Sequence, residues 1–287
     1  MRRAVLRRAD LFLSPQWLVI LLLAGCGASP RPPPEPRLRV QAQEIETLGA
    51  RRYTQGNYSA AARHFAEGAR LRLSLDDAPA ASRNRLQQAQ SELALGQAQL
   101  ALEHASQVRE DSLQVQALLL QAQAQLALGH VEAANPLLAR LAALCAASCA
   151  ERGRLLLLQA RAAWAGGDAA LALTQAEAAL PLLRAQQEER EIANAWRLIA
   201  AARLKLADTV AALAAARTAL DIDRQMALPE KIARDWLLIG DIESRTGKAQ
   251  ARSEAQAAYL RAQSVAQAAG LQELAKLAAK ALMESSQ

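Results

Sequence analysis

The sequence predicts an all-α protein built as a solenoid of helix pairs, and three observations carry that expectation. Apolar residues make up 52% of the chain but aromatic ones only 3%, and the apolar content is carried by Ala and Leu, which cost least in a helix. No stretch alternates β-branched and polar residues between Gly, Asn or Asp, as a strand would require. Beyond Leu38 the helix-compatible run is punctuated at Gly56-Asn57, Gly96-Gln97, Gly129-His130, Gly167-Asp168, Ala207-Asp208 and Gly247-Lys248, at intervals of 40, 33, 38, 40 and 40 residues.

Taken in order, the chain opens on a basic stretch, Arg2 to Arg8, followed by an uncharged run from Leu11 that is strongest from Trp17 to Ala24. Residues 1–25 read as a secretory signal. The alternative, a transmembrane helix, meets Pro15 and Gln16, which leave the apolar piece short of the ~20 residues a bilayer core requires. The run ends in Leu23-Ala24-Gly25-Cys26, which resembles the lipobox of bacterial lipoproteins. That resemblance implies that Cys26 is a lipid attachment site, with a diacylglycerol on its thiol and a further chain on its amine, enough for stable anchoring. It also implies an outer-membrane lipoprotein facing the periplasm, because Gly27 is not the Asp that marks inner-membrane retention in enteric relatives. Residues 26–37 hold Pro30, Pro32, Pro33, Pro34 and Pro36. They form a tether, either an extended stalk of ~3.1 Å per residue or a coil of no fixed length.

Six helix pairs then follow, at about 38–75, 80–110, 111–147, 148–186, 187–228 and 229–269, with a capping helix and tail at 271–287. At each break the first helix ends in a turn that suits a left-handed residue, and the next residue is often Asn or Asp, suited to starting the second helix. Aligning on the breaks brings Trp196 and Trp236 into register. It also aligns Gly49, Ala89, Ala122, Ala160, Ala200 and Gly240, each seven before its break, and Ala61, Ala101, Ala134, Ala172 and Ala212, each five after. Small residues at fixed positions are what two closely crossing helices need. Pro136 and Pro181 fall inside second helices, which must bend there or be shorter than drawn.

Two of these units resemble the tetratricopeptide (TPR) repeat. The first carries Leu48-Gly49, Tyr53, Gly56-Asn57-Tyr58 and Ala61 with Phe65, and the last carries Trp236, Ile239-Gly240 and the Gly247 turn. The middle units replace the family glycine by Ala and its aromatics mostly by Leu or Ala, and the period exceeds the family's 34 residues. The resemblance implies stacked pairs that share one hydrophobic core with their neighbours, and a concave face lined by first helices that binds protein or peptide partners. Carried over residue by residue, that lining is Arg83, Arg154, Arg161, Asn194, Lys205, Arg234 and Arg245, with Gln90 and Gln123 between. Such a groove attracts an acidic segment or a terminal carboxylate. Alternatively, these arginines only solubilise exposed helix faces.

Catalytic chemistry is not expected. The histidines His64, His104 and His130 lie in three different repeats, and the first two, at equivalent second-helix positions, read as ordinary surface or interface residues. His130 follows a turn glycine and reads as a helix starter. Phosphate-loop, dinucleotide, zincin and nucleophile-elbow motifs are all missing. No cofactor, metal or small-molecule substrate is expected. Cys145 and Cys149 form either a disulfide across the turn between the third and fourth pairs or two buried small residues on one helix face. The net charge of +6 includes +3 from residues 1–25, so the rest carries only +3, interleaved rather than blocked, and nucleic acid is not expected as a partner. The functional expectation is an envelope scaffold in an assembly, secretion or pilus-biogenesis complex. The alternatives are a non-catalytic regulator of a cell-wall enzyme and, at lower rank, a cytosolic TPR signalling protein.

Overall fold

A computed structural model describes residues 36–145, 149–246 and 250–286. The expected signal segment, Cys26, nearly all of the expected tether and the Gly247 break lie outside the described residues. Among those residues there are 13 α-helices and no strand. They are α1 Arg37–Thr54, α2 Tyr58–Ser74, α3 Ala78–Ala94, α4 Ala98–Ser106, α5 Gln114–Ala127, α6 Val131–Leu144, α7 Arg152–Ala165, α8 Ala169–Ala185, α9 Glu189–Lys205, α10 Thr209–Gln225, α11 Pro229–Glu243, α12 Ala251–Ala268 and α13 Gln272–Ser286. A short 3₁₀ turn, Asp111–Leu113, precedes α5. Consecutive helices pair as α1/α2 through α11/α12, six pairs in all, and α13 packs on the last. This is the expected α-solenoid.

The turns follow from backbone chemistry. Gly56, Gly96, Gly129, Gly167 and Gly270 have φ between +70° and +87°, and the residue after each closes a six-to-one hydrogen bond, such as Asn57 N to Arg52 O at 2.9 Å. This is the helix-ending geometry in which glycine meets no Cβ penalty. Asn57, Asp77, Asp168 and Asp208 then accept a backbone N–H three residues on with their own side chains, satisfying one orphan donor of the next helix. The same turn also recurs without glycine, at Asp76, Gln187, Ala207 and Ala227. His130 occupies the start of α6, but its ring bonds back to Gln125 and not forward to a helix N–H. His130 thus stands at the helix start as expected, without a side-chain cap.

Close packing explains the small residues. Ala61, Ala101, Ala134, Ala172 and Ala212 are all fully buried, as are Ala89, Ala122, Ala160 and Ala200. In the first pair a Cβ on Gly49 would stand 2.9 Å from Phe65, and in the last a Cβ on Gly240 would stand 2.4 Å from Tyr259. The middle pairs place Ala89 with Ala105, Ala160 with Ala176 and Ala200 with Ala216 in shared clusters. Where an aromatic ring faces the close approach the small residue is glycine, whereas in these three middle pairs alanine meets alanine, and the third pair places Ala122 with Leu138. Four apolar clusters follow one another along the stack rather than gathering round one centre, as repeat architecture dictates. Helices α6 and α8 run through Pro136 and Pro181, each proline giving up one internal hydrogen bond instead of ending its helix.

Candidate binding groove

First helices touch first helices, α3 with α5, α5 with α7, α7 with α9 and α9 with α11, whereas second helices make no comparable contact. The stack therefore curves with the first helices inside. Residues three, four and seven apart on α7, α9 and α11 share that inner face, which collects Arg154 and Arg161, then Arg190, Glu191, Asn194 and Arg197, then Glu230, Lys231 and Arg234.

The charges here are unevenly matched. Arg154 is held by Glu188, Nε to Oε2 at 2.6 Å, and by Glu151 at 3.4 Å; burial opposes its charge, but these acids outweigh it and hold the guanidinium firmly protonated. Arg197 donates to Asp235 at 2.6 Å, to Asn194 Oδ1 at 2.8 Å and to Asp223. Both aspartates are almost completely buried. Burial, and the second carboxylate beside it, push Asp235 up to about 7 against the pull of Arg197. Arg234 pairs with Glu230 at 3.0 Å.

Arg161 and Lys231 differ from these. Neither is in an ion pair or hydrogen bond with any other described residue, although both are largely covered. Burial first, then the charge of Arg197, lowers the pKa of each, and Glu191 and Glu230 offset this only in part. Two cations weigh on Lys231 from other inner helices, Arg197 from the neighbouring α9 and Arg161 from α7 beyond it. Three adjacent inner helices thus present two half-sheltered cations with no bonded counter-ion, which is a site chemically suited to a carboxylate.

Of the residues expected to line the groove, the fold brings Arg154, Arg161, Asn194 and Arg234 into this cluster. It does not bring Lys205 or Arg245 there. Lys205 ends α9, about 16 Å along the helix from Asn194, and Arg245 follows α11 beside Asp241 and Tyr259. Arg83 stands exposed on α3, within electrostatic reach of Glu46. Lys231, Arg190 and Arg197 were not expected. They lie three or four residues from aligned positions, and that helical spacing was the available signal.

Two further features bear on chemistry. Cys145 and Cys149 are joined by a disulfide, Cα–Cα 5.1 Å. His104 lies 2.8 Å from the buried Glu92 on the partner helix α3, an acidic neighbour that spacing on its own helix does not reveal. No cluster of three or more His, Cys, Asp or Glu suited to a metal occurs among the described residues. Nor is any described helix long and apolar enough to cross a membrane.

Comparison of the sequence with protein-family models and with characterised proteins returned no match. Solved structures do match in fold. One chain of the APC/C hetero-tetramer Cut9-Hcn1 superposes with a TM-score of 0.69 at 17% identity, over 86% of this chain and 43% of that one. The apo form of RapI gives 0.60 at 10% identity, covering 85% and 70% of the two chains. A STAND-class signal-transduction ATPase with a tetratricopeptide-repeat sensor, from Pyrococcus horikoshii, gives 0.62 at 13% identity, over 85% and 38%. The chain spans less than half of the Cut9–Hcn1 chain. At these identities the likeness establishes the fold, a TPR-type α-solenoid.

Proposed function

We infer that this chain is a non-catalytic protein-binding module whose inner groove, at α7, α9 and α11, takes an acidic segment or a terminal carboxylate of a partner protein. The observation that carries this reading is the pair Arg161 and Lys231, half-sheltered cations facing one groove without a bonded acid. A ligand carboxylate there relieves the mutual repulsion of Arg161, Arg197 and Lys231, while Asn194 offers a neutral amide beside them. A Rap protein of the same fold, 13% identical, is complexed with Competence and Sporulation Factor, which supports reading such a solenoid as a binder of protein or peptide partners.

The proposed setting is the cell envelope, with Cys26 lipidated and the solenoid held off the outer membrane as a scaffold in an assembly, secretion or pilus-biogenesis complex. Its support is the sequence Leu23-Ala24-Gly25-Cys26 and the proline-rich segment after it. Replacing Cys26 by Ser is expected to release the chain from the membrane fraction, and unchanged membrane association rejects the setting.

The groove is tested with a fluorescent oligoglutamate peptide followed by anisotropy. Arg161→Ala with Lys231→Ala is expected to weaken binding by at least about tenfold, two charge-assisted contacts being lost. Affinity also falls with added salt. Equal affinity of the double variant and the parent removes the groove reading.

A further inference from the structure

The first and fifth helix pairs meet across the groove. Arg190, in the first turn of α9, donates from Nη1 to the phenol oxygen of Tyr58 at 3.2 Å, across 132 residues of sequence. Tyr58 begins α2, and its ring lies edge-on to that of Tyr53 near the end of α1, with centroids 5.2 Å apart and planes at 61°, a favoured aromatic geometry. Burial raises the pKa of Tyr53, and the charges nearest it are those of Arg190, Glu191 and Arg154. The tip of the first turn, built on Gly56, thus reaches the upper end of the basic groove. Both tyrosines are half-buried there, although a helix–helix turn ordinarily points into solvent.

The contact has an energetic character of its own. Among the described residues every other long-range bond of the groove joins helices of one pair or of adjacent pairs, where nearest-neighbour packing fixes the geometry in any case. This one joins pairs separated by three others through one neutral–charged hydrogen bond, the ring contact lying within the first pair, so it can open without unpacking a cluster. It also occupies Arg190 and crowds Arg154, the two cations flanking the unpaired pair Arg161 and Lys231.

We propose that the Tyr53–Tyr58 tip is a clasp that closes the solenoid over its groove and competes with the acidic ligand for the Arg190 end, so that ligand binding and clasp opening are coupled. The ligand part of this rests on the groove reading above; the clasp itself does not. A closed clasp reduces the fraction of molecules competent to bind and lowers apparent affinity by that fraction.

The test uses the full chain with Cys26→Ser, in which cysteines introduced at the exposed positions Gln55 and Ala185 are the free thiols, and spin labels on them report the distance across the closure. Tyr53→Ser with Tyr58→Ser is compared with the parent, thermal unfolding of both confirming the fold. The expected result is a longer and broader distance in the double variant, and a similar lengthening of the parent on saturation with oligoglutamate peptide. The variant is also expected to bind that peptide about two- to tenfold tighter, the range one hydrogen bond's net worth allows, and to associate faster. An unchanged distance overturns the clasp, and a longer distance with unimproved affinity overturns its coupling to the ligand. If neither chain binds the peptide, the groove reading fails instead, and the distance alone decides whether the clasp exists.

Discussion

Gly240 of α11 stands against the Tyr259 ring of α12. An alanine there gains about 1 kcal/mol in helix propensity, yet its Cβ falls 2.4 Å from the Tyr259 ring. That ring is 4% exposed and its hydroxyl is tied to Asp241 at 2.8 Å, so it has little room to yield. Gly240→Ala is expected to lower stability by about 1–3 kcal/mol, the usual cost of overpacking, and Gly49→Ala by less, because Phe65 is met at 2.9 Å. Denaturant titration of the two variants against the parent measures the order. Asp235 gives a pH prediction of opposite sense to that of most carboxylates. Its folded pKa, about 7, lies above the ordinary 3.8, so the folded chain holds the proton more tightly. The stability this confers is complete below the unfolded pKa and is lost as pH rises through about 7. Unfolding free energy should therefore drop by about 1 kcal/mol between pH 6 and 8, and Asp235→Asn, which cannot titrate, should remove most of that slope; a parent whose stability is flat over this range contradicts the assignment. The small residue at position 240 was legible in the sequence from its register alone. The burial of Asp235 was not, since an isolated Asp among Arg and Glu on a helix reads as solvent-facing.

At the scale of the helix, the turns were legible wherever a glycine marked them, and α4 shows the limit. Its nine residues give way to the irregular stretch around Val108, and this shortens the period to 33 without any strong sequence break. The turns between successive pairs were harder to see, because Asp76, Gln187 and Ala227 take the left-handed conformation without being glycine. Ala207 and Ala227 have φ of 66° and 52° and bear the Cβ penalty with no polar side chain to offset it. Ala207→Gly and Ala227→Gly are each expected to raise stability by about 0.5–1 kcal/mol, read as a higher thermal midpoint. No gain at either site would show that the greater unfolded-state freedom of glycine cancels the relief. The polar nodes were not legible at all. Glu46 receives Arg72 at 2.7 Å and Asn84 at 2.7 Å, while Arg197 binds Asp223 and Asp235 at the same offsets of 26 and 38 residues with the charges exchanged. Glu46 and Arg197 each stand ten residues before their break, where the other four repeats place a leucine, and only the fold shows that each collects its partners 26 and 38 residues further on.

Over the whole molecule, contacts run from each pair to the next, so a local loss of stability should stay local. The Cys145–Cys149 bridge lies at the junction of α6 and α7, where Cys145 is buried in the cluster formed by Leu118, Leu141, Leu155 and Leu158. Closing so short a loop restricts the unfolded chain enough to contribute about 2 kcal/mol on the chain-entropy account. Reduction by dithiothreitol is therefore expected to raise hydrogen exchange in α6 and in the first turns of α7. It should leave α12 and α13, whose core is largely a separate set of residues, nearly unchanged. A uniform rise across all helices would mean that the solenoid unfolds as one cooperative unit, and that the chain of separate clusters does not describe its energetics. The clasp between Tyr58 and Arg190 adds a second, sharper expectation to the same measurement. Among the described residues it is the one hydrogen bond that ties the first pair to the fifth, so exchange at the start of α9 should respond to Tyr58→Phe even though no packed neighbour of α9 has changed. That coupling could not be read from the sequence, because the distance between pairs one and five is set by the accumulated small rotations of every unit between them and by no residue in particular.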